Sequence, residues 1–161
     1  MTDDDFMQAV NRNNQRLFLI ALSFTKSTYD AEDILQNVFV KLLKHPKSFS
    51  DNEHLDKWLT TVCINESKNY IKLPFRYHKN IDDCDFVSGA NFDSTTQIDL
   101  YNAVMRLSKK ERTVIHLFYY ENLSIKDIAE MLKIKESAVK TRLSRARVNL
   151  KEQLGDEWID E

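Results

Sequence analysis

SIKDIAEMLKIKESAVKTRLSRARVNLK, residues 124–151, divides into two helices joined by a tight turn. Ser124 suits an N-cap, and Asp127 three residues later completes a capping-box arrangement that satisfies free amide donors. Ile125, Ile128, Ala129 and Leu132 recur at helical spacing and form one apolar stripe. Lys133-Ile134-Lys135 is too short for a loop, so the second helix starts at a sharp angle. Such a turn needs a left-handed residue at Lys133, where any residue but glycine costs up to ~1 kcal/mol. In the second helix Val139, Leu143, Ala146, Leu150 and Leu154 line the face expected to be buried. Lys140, Thr141, Arg142, Ser144, Arg145 and Arg147 take the other side. Between 133 and 151 there are seven basic residues and one acid, Glu136. A short helix, a tight turn and a basic second helix form the helix-turn-helix pattern, whose second helix enters the DNA major groove. Ser137, Thr141 and Ser144 are placed to reach base edges near its start, and the cations further on to hold phosphates. The plainer alternative is a solvated basic face on a helical hairpin.

The remaining composition narrows the class. The chain has 161 residues, enough for one domain or two small ones, with 30% charged and 42% hydrophobic residues. No apolar run approaches the ~20 residues of a membrane span. The acidic start, MTDDDF, is unlike a signal peptide, so a cytoplasmic location is expected. In that compartment Cys63 and Cys84 read as free thiols. His45, His54, His78 and His116 are scattered without ligand spacing, so no metal and no cofactor is expected. Net charge is −2, with the excess positive charge gathered in one helix. Affinity for free DNA depends mainly on phosphate neutralisation, so the chain alone should bind DNA weakly and need a second DNA-binding partner.

An all-α fold is expected, because no stretch alternates as a strand does. Pro46, Pro74, Gly89 and Gly155 mark helix ends or linkers. Residues 4–26 read as a helix or helix pair with Phe6, Val10, Leu17, Ile20, Ala21 and Phe24 toward the core. Asp30 is placed to cap the next helix, whose stripe is Ala31, Ile34, Leu35, Val38, Phe39 and Leu42. A polar loop follows over 45–53. A third helix is expected over about 54–73, with Leu55, Trp58, Leu59, Val62 and Ile71 inward and Tyr70 at the edge of its polar face. Residues 74–96 are polar and acidic, and read as a flexible linker. From 97 the helical pattern resumes. Ile98, Val104 and Leu107 mark one short helix, and Ser108 caps the next. The expected organisation is therefore two small helical domains, 1–73 and 97–161, joined by a flexible linker over 74–96, the C-terminal one a helix-turn-helix.

YDAEDILQNVFVKLLKH at 29–45, followed by WLTTVCINESKNYIK at 58–72, resembles the sigma-70 family of RNA polymerase initiation factors, most closely its extracytoplasmic-function group. LSKKERTVIHLFYYENLSIKDIAEMLKIKESAVKTRLSRARVNLKEQL at 107–154 resembles that group's second domain. The resemblance spans nearly the whole chain, in the expected order. It implies core RNA polymerase as partner, through the β′ clamp and β flap, with promoter DNA and an anti-sigma factor. It assigns Asp33, Gln36 and Asn37 to the polymerase contact, Asn37 standing where the family usually has an acid. It assigns Ser48, Phe49, Asn65, Lys68, Asn69 and Lys72 to the −10 element, where a flipped base of the melted strand is held. It assigns Ser137, Lys140, Thr141, Arg142, Ser144, Arg145 and Arg147 to the −35 element. The chain departs from the family at Ile64, where Arg is frequent, at Asn69, where Asp is, at Asp127, where Glu is, and at Ala138, where Thr is. The resemblance also runs the linker toward the RNA exit path, where Asp82, Asp83 and Asp85 would mimic nucleic acid; a linker with no such role is the equal alternative.

The implied function is promoter-directed initiation without catalysis by this chain. No nucleophile–base pair or phosphate loop stands in the sequence. Two rivals stay open on the residues alone: a stand-alone helix-turn-helix regulator binding duplex DNA as a dimer, and a helical adaptor whose basic helix docks an acidic protein.

Overall fold

The computed structural model describes residues 1–45, 48–72 and 95–155, and all of its regular structure there is helical. The chain divides into two compact units, Met1–Ile81 and Asp82–Glu161.

The first unit is a three-helix bundle. α1, Asp3–Thr25, is one continuous helix. Its start is fixed by a full capping box. The Thr2 hydroxyl accepts from the Asp5 amide at 3.1 Å, and the Asp5 carboxylate accepts from the Thr2 amide at 3.2 Å. Three acids in that turn complement the helix dipole. Lys26 ends α1 in the left-handed region, with φ 54°. That sharp stop leaves Ser27 extended, and α2, Thr28–Leu43, starts directly after it. The expected cap at Asp30 is thereby corrected. Ser27 is the cap, accepting from the Asp30 amide at 3.1 Å, and Asp30 lies within the first turn, fully buried. α3, Asn52–Ile71, is capped by Asp51, which accepts from the His54 amide at 2.8 Å. The helix thus begins two residues before the sequence reading placed it.

Leu17, Ile20 and Ala21 of α1, Ile34, Val38 and Leu42 of α2, and Leu55, Leu59 and Ile64 of α3 form the core. Each large side chain so buried is worth ~1.5–3 kcal/mol. The inward face of α3 differs from the expected one. Trp58, Val62 and Ile71 are half-buried, whereas Thr60, Cys63, Ile64 and Ser67 are buried. The small side chains at 63 and 67 let α3 approach closely, and the Cys63 thiol reaches the Leu17 carbonyl at 3.4 Å. Phe6 and Val10 are likewise half-buried, since the first turns of α1 run along the rim. Polar ties lock α1 to α3. Arg12 donates to both Asp56 carboxylate oxygens, Asn13 donates to Asp56 at 2.9 Å, and Arg16 donates to Thr60 at 2.6 Å. Burial pushes the Asp56 carboxyl up, but the Arg12 and Asn13 hydrogen bonds and the nearby guanidinium charges outweigh it, leaving Asp56 below its ordinary value.

The second unit contains α4, Thr95–Met105; α5, Lys109–Ile115; α6, Ile125–Leu132; and α7, Glu136–Leu154. The linker read over 74–96 lies outside the described residues except for Thr95 and Thr96, which belong to the first turn of α4. Asp82, Asp83, Asp85 and Cys84 lie outside them too. Ser108 caps α5 through the Glu111 amide, as its sequence position indicated. α5 then runs into a π-helical turn, His116–Tyr120, in which the Glu121 amide donates to the His116 carbonyl at 3.2 Å. The helical periodicity does not foretell that widened turn. His116 is fully buried there, stacked on Tyr120 at 5.2 Å between ring centroids and edge-on to Tyr101 at 6.3 Å. Burial pulls its pKa down to about 3. Arg112 is buried as well, donating to the Leu107 carbonyl at 2.9 Å, and burial pulls its pKa down to about 10.

The helix-turn-helix forms as read. Ser124 caps α6 by accepting from the Asp127 amide at 3.0 Å. Lys133 adopts the left-handed conformation, φ 60° and ψ 46°. The Ile134 amide returns to the Ala129 carbonyl at 3.0 Å, closing the turn in the Schellman manner. Val139, Leu143, Ala146 and Leu150 of α7 are buried; Leu154, expected with them, is half-buried at the helix end.

Candidate polymerase and nucleic-acid interfaces

Asp33, Gln36 and Asn37 are all exposed on α2. Their spacing puts them on one helix face, opposite the buried stripe of Ile34, Val38 and Leu42. At the far end of α2, Lys41 pairs with Glu66 of α3 at 2.6 Å. Near its start, the Tyr70 hydroxyl of α3 donates to the Asp30 carboxylate at 3.1 Å. Burial, then the charges and acceptor oxygens of Asp30 and Asp33, push the Tyr70 phenol well above its ordinary value, so it stays protonated as a donor. The acidic face of α2 is thus joined to α3 at both ends.

Asn65, Asn69 and Lys72 are exposed on α3, and Lys68 is half-buried beside them. Spacings of three and four place all four on one face. Ile64, where the family favours Arg, is fully buried and contributes to the core instead. Ser48 is exposed and Phe49 half-buried. Phe49 stacks on His45 at 4.8 Å between ring centroids, meets His54 edge-on at 5.2 Å, and leans on Trp58 at 5.4 Å. The Ser50 amide donates to His54 Nδ1 at 3.2 Å, which ties the loop to the first turn of α3. His45 and Phe49 of this group wall a cleft of about 580 Å³, lined also by Ser48, Asp5, Arg12 and Leu42. The sequence reading missed the two histidines, since scattered positions give no pattern; Trp58, read as core, belongs to this group.

In the second unit Ser137, Lys140, Thr141, Ser144 and Arg145 are exposed along α7, and Arg142 is half-buried. Ser137, Thr141, Arg142 and Arg145 line one groove of about 470 Å³, together with Ser108 and Lys110 from the start of α5. Neither of those last two was read from the sequence as a binding residue, because they lie far from the helix-turn-helix in the chain. Thr141 bonds back to the Ser137 carbonyl at 3.0 Å. Arg147 behaves differently. It is half-buried, donates from Nε to the Tyr119 hydroxyl at 2.8 Å, and lies over the Phe118 and Tyr119 rings.

An acidic helix face, an aromatic loop beside a polar-cationic face, and a basic recognition helix are carried in order along the chain. The sigma-70 region 2 model matches residues 9–73, and the sigma-70 region 4 model matches residues 97–150. The chain belongs to the sigma-70 family. It is 26% identical over 149 residues to the RNA polymerase sigma factor SigV of Bacillus subtilis, covering 92% of this chain and 90% of that one. It is 27% identical to the extracytoplasmic-function sigma factor SigW of the same organism, covering 95% and 90%. Among solved structures it is similar to the sigma factor RpoE of Bartonella quintana, in complex with the anti-sigma factor NepR. The TM-score there is 0.70 at 25% identity, over 96% of this chain and 99% of that one. This sigma factor is of the extracytoplasmic-function group and directs promoter-specific initiation of transcription. The stand-alone dimeric regulator is not favoured. No helix among the described residues is long and apolar enough to cross a membrane.

Proposed function

We propose that this sigma factor divides its work between residues 1–73 and 97–161, with 74–96 as the connection. The first unit docks core polymerase through Asp33, Gln36 and Asn37. Its other face receives the melted −10 strand: Asn65, Lys68, Asn69 and Lys72 meet the backbone, and the loop bearing Ser48 and Phe49 receives an extruded base. α7 reads the −35 element, with Ser137, Lys140, Thr141 and Ser144 toward bases and Arg142 and Arg145 toward phosphates, while Arg147 is held against Phe118 and Tyr119. The observation that carries this reading is the exposure, within one three-helix unit, of an acid-amide face on α2 and an amide-lysine face on α3.

The energetics agree. Extruding a base costs a few kcal/mol, and stacking it on an aromatic ring returns ~1–3 kcal/mol. Capture therefore comes close to balancing the extrusion only when polymerase holds the DNA in place. Two weak DNA readers on one polymerase gain effective concentration that neither has alone. That suits a chain with a net charge of −2. On this reading the chain performs no covalent step, and it works in the cytoplasm, where polymerase and DNA are. An anti-sigma protein would hold it inactive; the Bartonella sigma factor it resembles is solved in complex with the anti-sigma factor NepR.

Run-off transcription on a promoter library, with and without this protein added to core polymerase of the same organism, tests the reading. Specific starts should appear only with the protein and vanish in Asp33→Ala/Gln36→Ala. Starts that survive the double change would move the polymerase contact elsewhere. Specific duplex binding by the protein alone, without starts, would overturn the reading.

A further inference from the structure

Asp30 and Asp33 stand one helical turn apart on α2 and have opposite surroundings. Asp30 is fully buried, and Asp33 is exposed on the face that the proposed function gives to polymerase. A buried carboxylate needs donors, and the Tyr70 phenol is one of them, at 3.1 Å across the α2–α3 interface. Tyr70 follows Asn69 directly, and Lys72 is two residues further on, so its helix turn is the one that carries the DNA-facing side chains. The same phenol is within electrostatic reach of Asp33. One side chain therefore touches the buried acid, neighbours the exposed acid, and belongs to the turn that meets DNA.

We propose that Tyr70 is a positioning residue: its hydroxyl, donating to Asp30, fixes the first turns of α2 so that Asp33 is presented to polymerase in register with Asn69 and Lys72 of α3. This rests on the assignment of Asp33 to the polymerase contact. Tyr70 contacts neither polymerase nor DNA in this scheme and acts through the acids it holds. Removing the hydroxyl frees the carboxylates to reorient while the ring still fills its place, so polymerase affinity falls through Asp33 and not through loss of the fold.

The test is a double-mutant cycle on the full chain, titrating labelled protein with purified core polymerase, with thermal unfolding of each free variant alongside. Tyr70→Phe should weaken core binding about fivefold or more, with a folded chain at the assay temperature. Asp33→Ala should also weaken it. The combined variant should bind no worse than Asp33→Ala alone, since the strut has nothing left to position. A role in stability alone would lower the unfolding temperature of Tyr70→Phe yet leave core affinity within about twofold of the parent; that result overturns the proposal. Additive losses in the combined variant overturn it as well. If Asp33→Ala binds core normally, the polymerase assignment fails; Tyr70→Phe then weakening binding would mean it does not act through Asp33, and the strut fails with it. Should Tyr70→Phe not fold, Asp30→Asn replaces it. That variant keeps an acceptor for the phenol and should retain core affinity, and a loss as large as that of Asp33→Ala would refute the strut.

Discussion

Arg147 reaches the Tyr119 hydroxyl at 2.8 Å and lies over two aromatic rings of its own unit, while Lys140 and Arg145, on the same helix, extend into solvent. Cations on one recognition helix are therefore not equivalent. Each phosphate contact contributes about 0.9 to the slope of log affinity against log salt concentration. Arg142→Ala and Arg145→Ala should each reduce that slope by about 0.9 when holoenzyme binds a −35 duplex at several salt concentrations. Arg147→Ala should change it by less than half as much. It should instead destabilise the chain by about 1–2 kcal/mol through the lost hydrogen bond and ring contacts. An equal slope change for all three would show that Arg147 swings free to meet phosphate.

Lys133 carries a side chain where the turn demands φ 60°. Its Cβ is strained there, and glycine would remove the strain. Lys133→Gly should raise stability by up to about 1 kcal/mol, or a few degrees in Tm for a unit this small. Thermal unfolding followed by circular dichroism reads it directly. A lower Tm would mean that unfolded-state entropy outweighs the strain. The same change removes one cation beside the turn, so −35 affinity should not rise with stability.

The turn at Lys133 was legible because few conformations join two helices over three residues. The apolar stripes of α2 and α7 were legible because large side chains repeat at helical spacing. The inward face of α3 was not. Its fully buried positions include Cys63 and Ser67, and small residues carry almost no hydropathy signal, so Trp58 and Val62 drew the axis of the face aside. The cap of α2 was read three residues too late, because Asp30 suits a cap by its chemistry; the left-handed stop at Lys26 starts the helix earlier and makes Ser27 the cap. The π-helical turn at His116–Tyr120 depends on how three consecutive aromatics pack, which no periodicity encodes. Of the candidate sites, the exposed faces of α2 and α7 followed from the stripes opposite them. The aromatic group around Phe49 and the groove shared with Lys110 join residues that only the tertiary fold brings together.

The close approach of α3 to α1 gives its own test. The Cys63 thiol is fully buried, 3.4 Å from the Leu17 carbonyl. Cys63→Leu should cost about 1–3 kcal/mol by overpacking, whereas Cys63→Ala should cost less, since only one sulfur is lost. Denaturant unfolding of the two variants measures the difference. A stable Cys63→Leu would show that α3 moves outward at little cost, and Asn65, Lys68 and Asn69, which we propose face DNA, would then move with it.

His116 makes the stability of the second unit depend on pH. Both ring nitrogens are buried, and neither has a hydrogen-bond partner. Burial pulls the ring pKa down to about 3, whereas an unfolded chain holds it near its ordinary value of about 6.5. Above that ordinary value both states are neutral, and folding carries no proton penalty. As pH falls below it, the unfolded chain binds a proton that the folded chain refuses. Stability then declines by up to about 1.4 kcal/mol per pH unit until the folded value is reached. His116→Phe keeps a ring of similar shape against Tyr101 and Tyr120 but binds no proton. Its unfolding free energy should therefore fall less between pH 7 and pH 5 than that of the parent, by about 2 kcal/mol. Equal pH dependence in the two proteins, measured by denaturant titration at each pH, would mean that water or a neighbouring group reaches the imidazole and that the aromatic cage is open.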